Sequence, residues 1–281
     1  MTKIISGTTR IYGIIGYPVE HSFSPRMHNA AFSALKMDVR YLAFPVKPEQ
    51  VQQALEGIRA LNISGVNVTV PHKSAVIPYL DEIAPLAQKL GAVNTILNLE
   101  GRLSGTNTDI SGFVRSLGDL NFSPKNKTVA VLGAGGSARA VLAGLADAGA
   151  SRILIHNRTV ARAESLVIEF SQNFTETQFS AVSLQTVKNS NFDLLVNTTT
   201  VGMQSDASPL DLSQCLEIKH LLDLIYSPVK TRLLRQAEEL DIPALNGSGM
   251  LLYQGCDAFT FWTAIPAPEA VMREQLLNLL E

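Results

Sequence analysis

The stretch KTVAVLGAGGSARAVLAGLADAGA, starting at Lys127, restricts the possible folds more than any other part of the chain. An apolar run enters a glycine turn, and the turn leads directly into a helical pattern that stops at a glycine signal around Gly149. SRILIHNR follows as a second strand, a helix begins at about Val160, and FDLLVNTT and HLLDLI are two further apolar strands. Strands alternating with helices predict a parallel sheet covered on both faces. Within GAGGSA, Gly133 permits the tight turn, Gly135 lets a pyrophosphate approach the backbone, and Ala138 stands where a third glycine would be. Gly133, Ala134, Gly135, Gly136 and Ser137 therefore form a candidate phosphate cradle at a helix N-terminus. A merely tight strand–helix turn is the alternative, and the βαβ context favours a dinucleotide.

The end of the second strand bears on which dinucleotide. An NAD site usually carries an Asp or Glu there, about 20 residues past the glycines, to bind the ribose 2′-OH. Here the sequence is His156-Asn157-Arg158-Thr159, with no acid before Glu164. Arg158 and Arg162 flank a helix start, where a cation opposes the macrodipole. Two solvated surface arginines would tolerate that small conflict; a bound 2′-phosphate would remove it, and Arg suits phosphate. NADP(H) is the expected cofactor.

At 281 residues the chain is long enough that one core usually gives way to two domains. Apolar residues make up 46% and charged residues 17%, which supplies cores and leaves little for disordered tails. A net charge of −2 makes no case for nucleic acid or an anionic membrane. MTKIISGTTR lacks the apolar core of a signal peptide, and no run approaches the ~18 apolar residues of a membrane span. Cys215 and Cys256 have neither zinc nor redox spacing and read as small buried hydrophobes in a reducing compartment. With the histidines scattered, a cytoplasmic protein without a metal is expected.

The first segment alternates strands (YGIIG, RYLAFPV, NVTV) with helices. One helix opens at Ser24-Pro25, with Ser24 as N-cap and Met27, Ala31, Ala34 and Leu35 inward. Another turns Val51, Leu55, Ile58 and Leu61 inward, and a third covers about 81–90. AVNTILNLEGRLSGTN reads as a hairpin turning near Glu100-Gly101, an antiparallel addition to a mainly parallel sheet. A helix over roughly 110–120 is the connector, and two helical patterns follow Gly249.

Polar groups concentrate in this segment. In NVTVPHK, Asn67, Thr69 and Pro71 alternate with Val68 and Val70, as on a strand with one buried face, and Lys73 follows the rigid proline. HSFSP sets Ser22 and Ser24 before a helix N-terminus, a suitable place for a carboxylate. Asn94 in GAVNT and Asp109 in NTD complete the group; taken alone, Asp109 reads as a cap and Lys73 as a solvated lysine.

The order HSFSP, NVTVPHK, GAVNT, NTD, GAGGSARA, NRT, NTTTVGM, DLIYSP and GSGMLLYQG closely resembles shikimate dehydrogenases over nearly the whole chain. The resemblance implies an N-terminal α/β substrate domain (1–110), a Rossmann-type doubly wound NADP-binding domain (111–246) and C-terminal helices (247–281) returning to the first domain. It implies reversible NADPH reduction of the C3 ketone of 3-dehydroshikimate. Carried over motif by motif, Ser22 and Ser24 would hold the substrate carboxylate. Asn67, Thr69, Asn94, Asp109 and Gln254 would bind ring hydroxyls, Tyr226 would add a contact, and Lys73 with Asp109 would be catalytic. Gly133 to Ser137 would cradle pyrophosphate; Asn157, Arg158, Thr159 and Arg162 would hold the adenosine end. Thr199, Val201, Met203, Leu224 and Gly247 would lie toward the nicotinamide. Ile110 stands where the family often has Gly, and Thr200 where it often has Ser or Pro.

A quinate/shikimate dehydrogenase with relaxed substrate or cofactor use is the nearest alternative, although such relatives tend to carry an acid after the Asn-Arg pair. Methylenetetrahydrofolate dehydrogenases share a two-domain plan and a lysine, but give HSFSP and NTD no task. A non-catalytic NADP sensor would not need Lys73 and Asp109 together. Two roles remain for Lys73, proton donor or fixed charge. Oligomeric state is open, a homodimer included.

Overall fold

The computed structural model describes residues 5–280, which divide into two compact units. The first comprises the described residues up to Gly112 together with Leu252–Leu279, and the second comprises Phe113–Leu251.

In chain order the first unit contains β1 (Arg10–Gly16), α1 (Ser24–Ala34), β2 (Val39–Pro45), α2 (Val51–Ala60), β3 (Gly65–Val68), β4 (Glu82–Ile83), α3 (Pro85–Leu90), β5 (Thr95–Leu99) and β6 (Arg102–Thr106). α4 (Thr108–Gly118) begins here and ends in the second unit. The strands lie in the order β2-β1-β3-β5-β6-β4. β1 runs parallel to β2 and β3, whereas the β5–β6 hairpin is antiparallel and pairs β5 with β3. Its turn is where the sequence places it: Glu100 and Gly101 both have positive φ, as a tight two-residue hairpin loop requires. α2 buries Val51, Leu55 and Ile58 against Ile15, Val66 and Ile96.

Three local expectations fail, each for a physical reason. The helix expected over 81–90 is α3 alone, since 82–83 pair with β6 as β4 and Pro85 then starts the helix afresh. Leu61 is 75% exposed because α2 has already ended at Ala60, and Ala34 and Leu35 likewise fall on the exposed end of α1. The alternation in NVTVPHK reverses: β3 stops at Val68 with all four residues buried, Asn67 included, and Val70 is 66% exposed in the turn.

The second unit is a six-stranded parallel sheet. Its elements are β7 (Thr128–Leu132), α5 (Gly136–Asp147), β8 (Arg152–His156), α6 (Val160–Asn173), β9 (Gln178–Ala181), α7 (Leu184–Lys188), β10 (Leu194–Asn197), β11 (Leu221–Asp223), α8 (Arg232–Glu239) and β12 (Ala244–Asn246). The order β12-β11-β10-β7-β8-β9 is that of a doubly wound sheet, and it reverses between β7 and β10. Ligands of such sheets bind outside the strand C-termini at that reversal. Leu132, Leu154, Leu195 and Leu221 carry the core.

α9 (Ser248–Thr263) and α10 (Glu269–Leu280) close the chain, with Leu252–Leu279 in the first unit. Trp262 of α9 explains part of that membership. Its ring lies 2.7 Å from where a Cβ on Gly65 would stand, and its Nε1–H donates to Ile96 O at 2.9 Å. A side chain at position 65 would push the indole off the sheet. Cys256 is buried as expected, whereas Cys215 is only half-buried.

Candidate active site

In the first unit Asn67 on β3 and Asn94 just before β5 meet in one buried network. Asn67 is 4% exposed, which demands partners for its amide. Its Nδ2 donates to Thr95 Oγ1 at 3.1 Å and to Asn94 O at 3.3 Å, and its Oδ1 accepts from Tyr41 Oη–H at 2.7 Å. Both amide hydrogens are thereby committed, so Asn67 has an acceptor lone pair left for a ligand. Asn94 is complementary. Its Oδ1 accepts the Thr108 N–H at 2.7 Å and the Thr95 hydroxyl at 2.9 Å, while Nδ2 donates to Thr108 Oγ1 at 3.1 Å and keeps a second hydrogen.

The following turn delivers Lys73. The His72 N–H donates to Thr69 O at 2.9 Å, the His72 ring bonds Val46 O at 2.6 Å, and Lys73 O accepts from Val93 N–H at 2.8 Å. So anchored, Lys73 Nζ donates to Asp109 Oδ2 at 2.6 Å. Asp109 does not cap α4: Asn107 Oδ1 takes the Asp109 N–H at 3.1 Å and leaves the carboxylate to the lysine. Two of the three ammonium hydrogens remain for a substrate oxygen.

Ser24 also departs from its expected role. Phe23 is already helical (φ −80°, ψ −15°) and occupies the cap position, so Ser24 is the first residue of α1 rather than its N-cap. Its side chain instead bonds Tyr41, whose hydroxyl burial raises well above the usual tyrosine range while that bond opposes the rise. Ser22 Oγ accepts the Ser24 N–H at 3.3 Å, which sets the two hydroxyls on one turn. Thr69 follows β3, its N–H donating to Ile15 O at 2.9 Å. Gln254 on α9 is 8% exposed, and its backbone N lies 2.6 Å from where a Cβ on Gly112 would be, so only glycine lets α4 approach that closely.

In the second unit Gly133 has φ +109°, a left-handed value that favours glycine, and a Cβ there would meet Thr198 Oγ1 at 2.4 Å. Gly135 and Gly136 have nothing within 4 Å of their would-be Cβ positions and are exposed with Ser137, while Ala138 is buried. The turn is tight and packed on one side and open on the other, as a backbone cradle for pyrophosphate must be. At the end of β8, Asn157 Nδ2 donates to Thr159 O at 2.8 Å, and Arg158, Thr159 and Arg162 are exposed at the start of α6 with no acid among them. These residues fit a dinucleotide bearing a 2′-phosphate.

The residues expected toward the nicotinamide cluster at the ends of β10 and β11. The Leu224 N–H donates to Asn197 O at 2.9 Å, and a Cβ on Gly247 would meet Leu224 O at 2.0 Å, so the two are in direct backbone contact. Thr199 N–H donates to Asn197 Oδ1 at 3.0 Å; Val201 and Met203 are exposed and Tyr226 half-buried, with burial raising its hydroxyl pKa. Among the described residues no group of three or more His, Cys, Asp or Glu could hold a metal, and no helix is long and apolar enough to cross a membrane.

Sequence reasoning did not single out Tyr41, Thr95 and Thr108, which hold the two asparagines, or Asn197 and Asp223. An acid inside the apolar run HLLDLI was the available signal for the last.

An open glycine turn in one unit and a lysine–carboxylate pair in the other fit a nicotinamide-nucleotide-dependent oxidoreductase, and that is the class of this chain. It is 47% identical to the shikimate dehydrogenase (NADP(+)) of Geobacter metallireducens over 283 residues, covering 99% of both chains. The chain belongs to the shikimate dehydrogenase family. The substrate binding domain of shikimate dehydrogenase matches residues 14–96, the shikimate / quinate 5-dehydrogenase family 116–202, and the shikimate 5′-dehydrogenase C-terminal domain 247–277. A crystal structure of shikimate dehydrogenase in complex with NADP+ superposes with a TM-score of 0.91 at 39% identity, covering 100% of this chain and 99% of that one. The Thermus thermophilus enzyme in complex with NADP(H) and shikimate does so at 0.86 and 37% identity, covering 96% and 99%.

Proposed function

We propose that this chain catalyses the reversible NADPH-dependent reduction of 3-dehydroshikimate to shikimate, a cytoplasmic step of aromatic amino acid biosynthesis. The observation that carries the reading is the Lys73–Asp109 pair, 2.6 Å apart, in the same unit as two buried amides, Asn67 with an acceptor and Asn94 with a donor still free. NADPH supplies the hydride when bound. Reduction of the C3 ketone leaves negative charge on its oxygen, and the free hydrogens of Lys73 are there to stabilise and protonate it. Asp109 holds the ammonium and accepts from the same substrate hydroxyl. Asn67 accepts from, and Asn94 donates to, ring hydroxyls, with Thr69 and Gln254 completing the set. Ser22 and Ser24 take the carboxylate, and Tyr226 adds a contact.

For the cofactor, Gly133 to Ser137 receive the pyrophosphate, and Asn157, Arg158, Thr159 and Arg162 receive the 2′-phosphorylated adenosine. Thr199, Val201, Met203, Leu224 and Gly247 face the nicotinamide end. Neither nucleic acid nor membrane takes part; light scattering tests for a homodimer. The test is NADP+ reduction, followed by nicotinamide absorbance, with shikimate, quinate and no added substrate in parallel. Shikimate should be strongly preferred, because a site lined with committed hydrogen-bonding groups leaves little room for quinate's additional hydroxyl. Equal kcat/KM for the two would move the chain to the quinate/shikimate class.

A further inference from the structure

Asp223 is a carboxylate at the end of β11, an interior strand of a parallel sheet, with 0% exposure. Among the described residues no cation is bonded to it, and its partners there are three neutral donors. Asn197 Nδ2 donates to its Oδ1 at 2.8 Å, Ile225 N–H to the same oxygen at 3.2 Å, and Thr231 Oγ1–H to its Oδ2 at 2.6 Å. Burying a carboxylate on a sheet is costly, and burial does raise this carboxyl above its ordinary pKa against the pull of all three donors. A core that needed only volume would have Leu or Asn here.

The donors show what the group ties together. Asn197 ends β10, and its Oδ1 accepts from both the N–H and the hydroxyl of Thr199, at 3.0 and 2.8 Å. Ile225 lies between Leu224 and Tyr226 in the loop after β11. Thr231 ends that loop and caps α8, its Oγ1 accepting the Leu234 N–H at 3.3 Å. One buried carboxylate thus fixes the starts of both loops that carry the candidate nicotinamide-end residues, although it is itself too buried to touch a ligand.

We infer that Asp223 is a positioning residue for the nicotinamide half of the cofactor, acting through Asn197 and Thr231 on the loops that bear Thr199, Leu224 and Tyr226. The inference rests on the proposed cofactor site. A displacement of about 1 Å can cost roughly 100-fold in rate, so the effect should exceed that of an ordinary core substitution. Asn in place of Asp keeps an Oδ1 that accepts from Asn197 and Ile225, and should recover part of what Ala loses.

The experiment compares wild type, Asp223→Ala, Asp223→Asn and Thr231→Val. Affinities for NADPH and for 2′,5′-ADP, which lacks the nicotinamide half, are measured by calorimetry, and kcat and its primary isotope effect with NADPH deuterated at the transferred position by steady-state kinetics. In Asp223→Ala, kcat should fall about 10- to 100-fold, the isotope effect should rise and NADPH should bind several-fold more weakly. 2′,5′-ADP should bind as to wild type, with Asp223→Asn intermediate. Thr231→Val should move the same readouts less, and carries the test if Asp223→Ala does not fold. Unchanged isotope effects together with an unchanged ratio of NADPH to 2′,5′-ADP affinity would overturn the inference. A wild-type protein that binds both nucleotides but does not oxidise shikimate would sink the proposed substrate alone, since the affinity ratio needs no turnover. Failure to bind either nucleotide would overturn both.

Discussion

Lys73 Nζ and Asp109 Oδ2 lie 2.6 Å apart although 36 residues separate them, one on the turn after β3 and the other in the first turn of α4. Because Asn107 satisfies the helix start, the carboxylate is free to orient the ammonium. A general acid is typically worth roughly 10²–10⁴ in rate. Lys73→Ala should therefore lose about that much kcat while KM for shikimate changes little. Asp109→Ala, which removes both the clamp and a substrate acceptor, should lower kcat and raise KM. Steady-state kinetics on variants shown to be folded by circular dichroism provide the check; a folded Lys73→Ala enzyme within a few-fold of wild type would return Lys73 to the surface.

Cofactor choice should reside in Arg158. A hydrogen bond to a charged group contributes about 1.5–3 kcal/mol, so Arg158→Ala should raise KM for NADPH by roughly ten- to a hundredfold. Activity with NADH, which has no 2′-phosphate, should hardly change. Parallel loss with both cofactors would exclude a 2′-phosphate contact at this position.

Tyr41 should matter to binding more than to chemistry. Tyr41→Phe removes the hydroxyl that occupies Asn67 Oδ1 and meets Ser24, and leaves a buried acceptor short of a donor. Such an orphan costs about 1–3 kcal/mol of stability. KM for shikimate should rise several-fold with kcat nearly kept, and the urea midpoint should fall. A variant with wild-type KM would show that Asn67 is held well enough by Thr95 and Asn94.

His28 gives a pH dependence of stability. It is 0% exposed, neither ring nitrogen has a hydrogen-bond partner among the described residues, and it stacks on Tyr41 with centroids 4.5 Å apart. Burial lowers its pKa from 6.5 to about 3. A folded pKa below the unfolded one means the unfolded chain binds the proton first, so stability is full above about 6.5 and falls as pH drops toward 3. The slope reaches about 1.4 kcal/mol per pH unit from this residue. Urea midpoints between pH 7 and pH 5 should fall more steeply in wild type than in His28→Phe, which keeps the stack and cannot titrate. Identical slopes would mean His28 is hydrated or paired.

What the sequence disclosed followed from local rules. Gly133, the Glu100-Gly101 turn and the missing acid after His156 each report a backbone or charge requirement within a few residues. What it concealed depended on long-range partners. Asn67 alternates with valines like a solvent-facing residue, yet it is buried because Tyr41 and Thr95, 26 and 28 residues away, supply its bonds. Ser24 reads as a cap because the sequence does not reveal that Phe23 is already helical. Asp223 sits in an apolar strand, and its three donors come from a neighbouring strand end and its own following loop.

The placement of Trp262 against Gly65 also has a consequence for synthesis on the ribosome. Phe113–Leu251 is one continuous run, so the second unit has all its residues before α9 is complete. The first unit does not: the indole that covers its central strand and donates to Ile96 O is translated 166 residues after its acceptor. Until α9 is made, the Gly65 face of the earlier strands lacks its indole cover and Ile96 O lacks its donor, an exposed sheet face during synthesis.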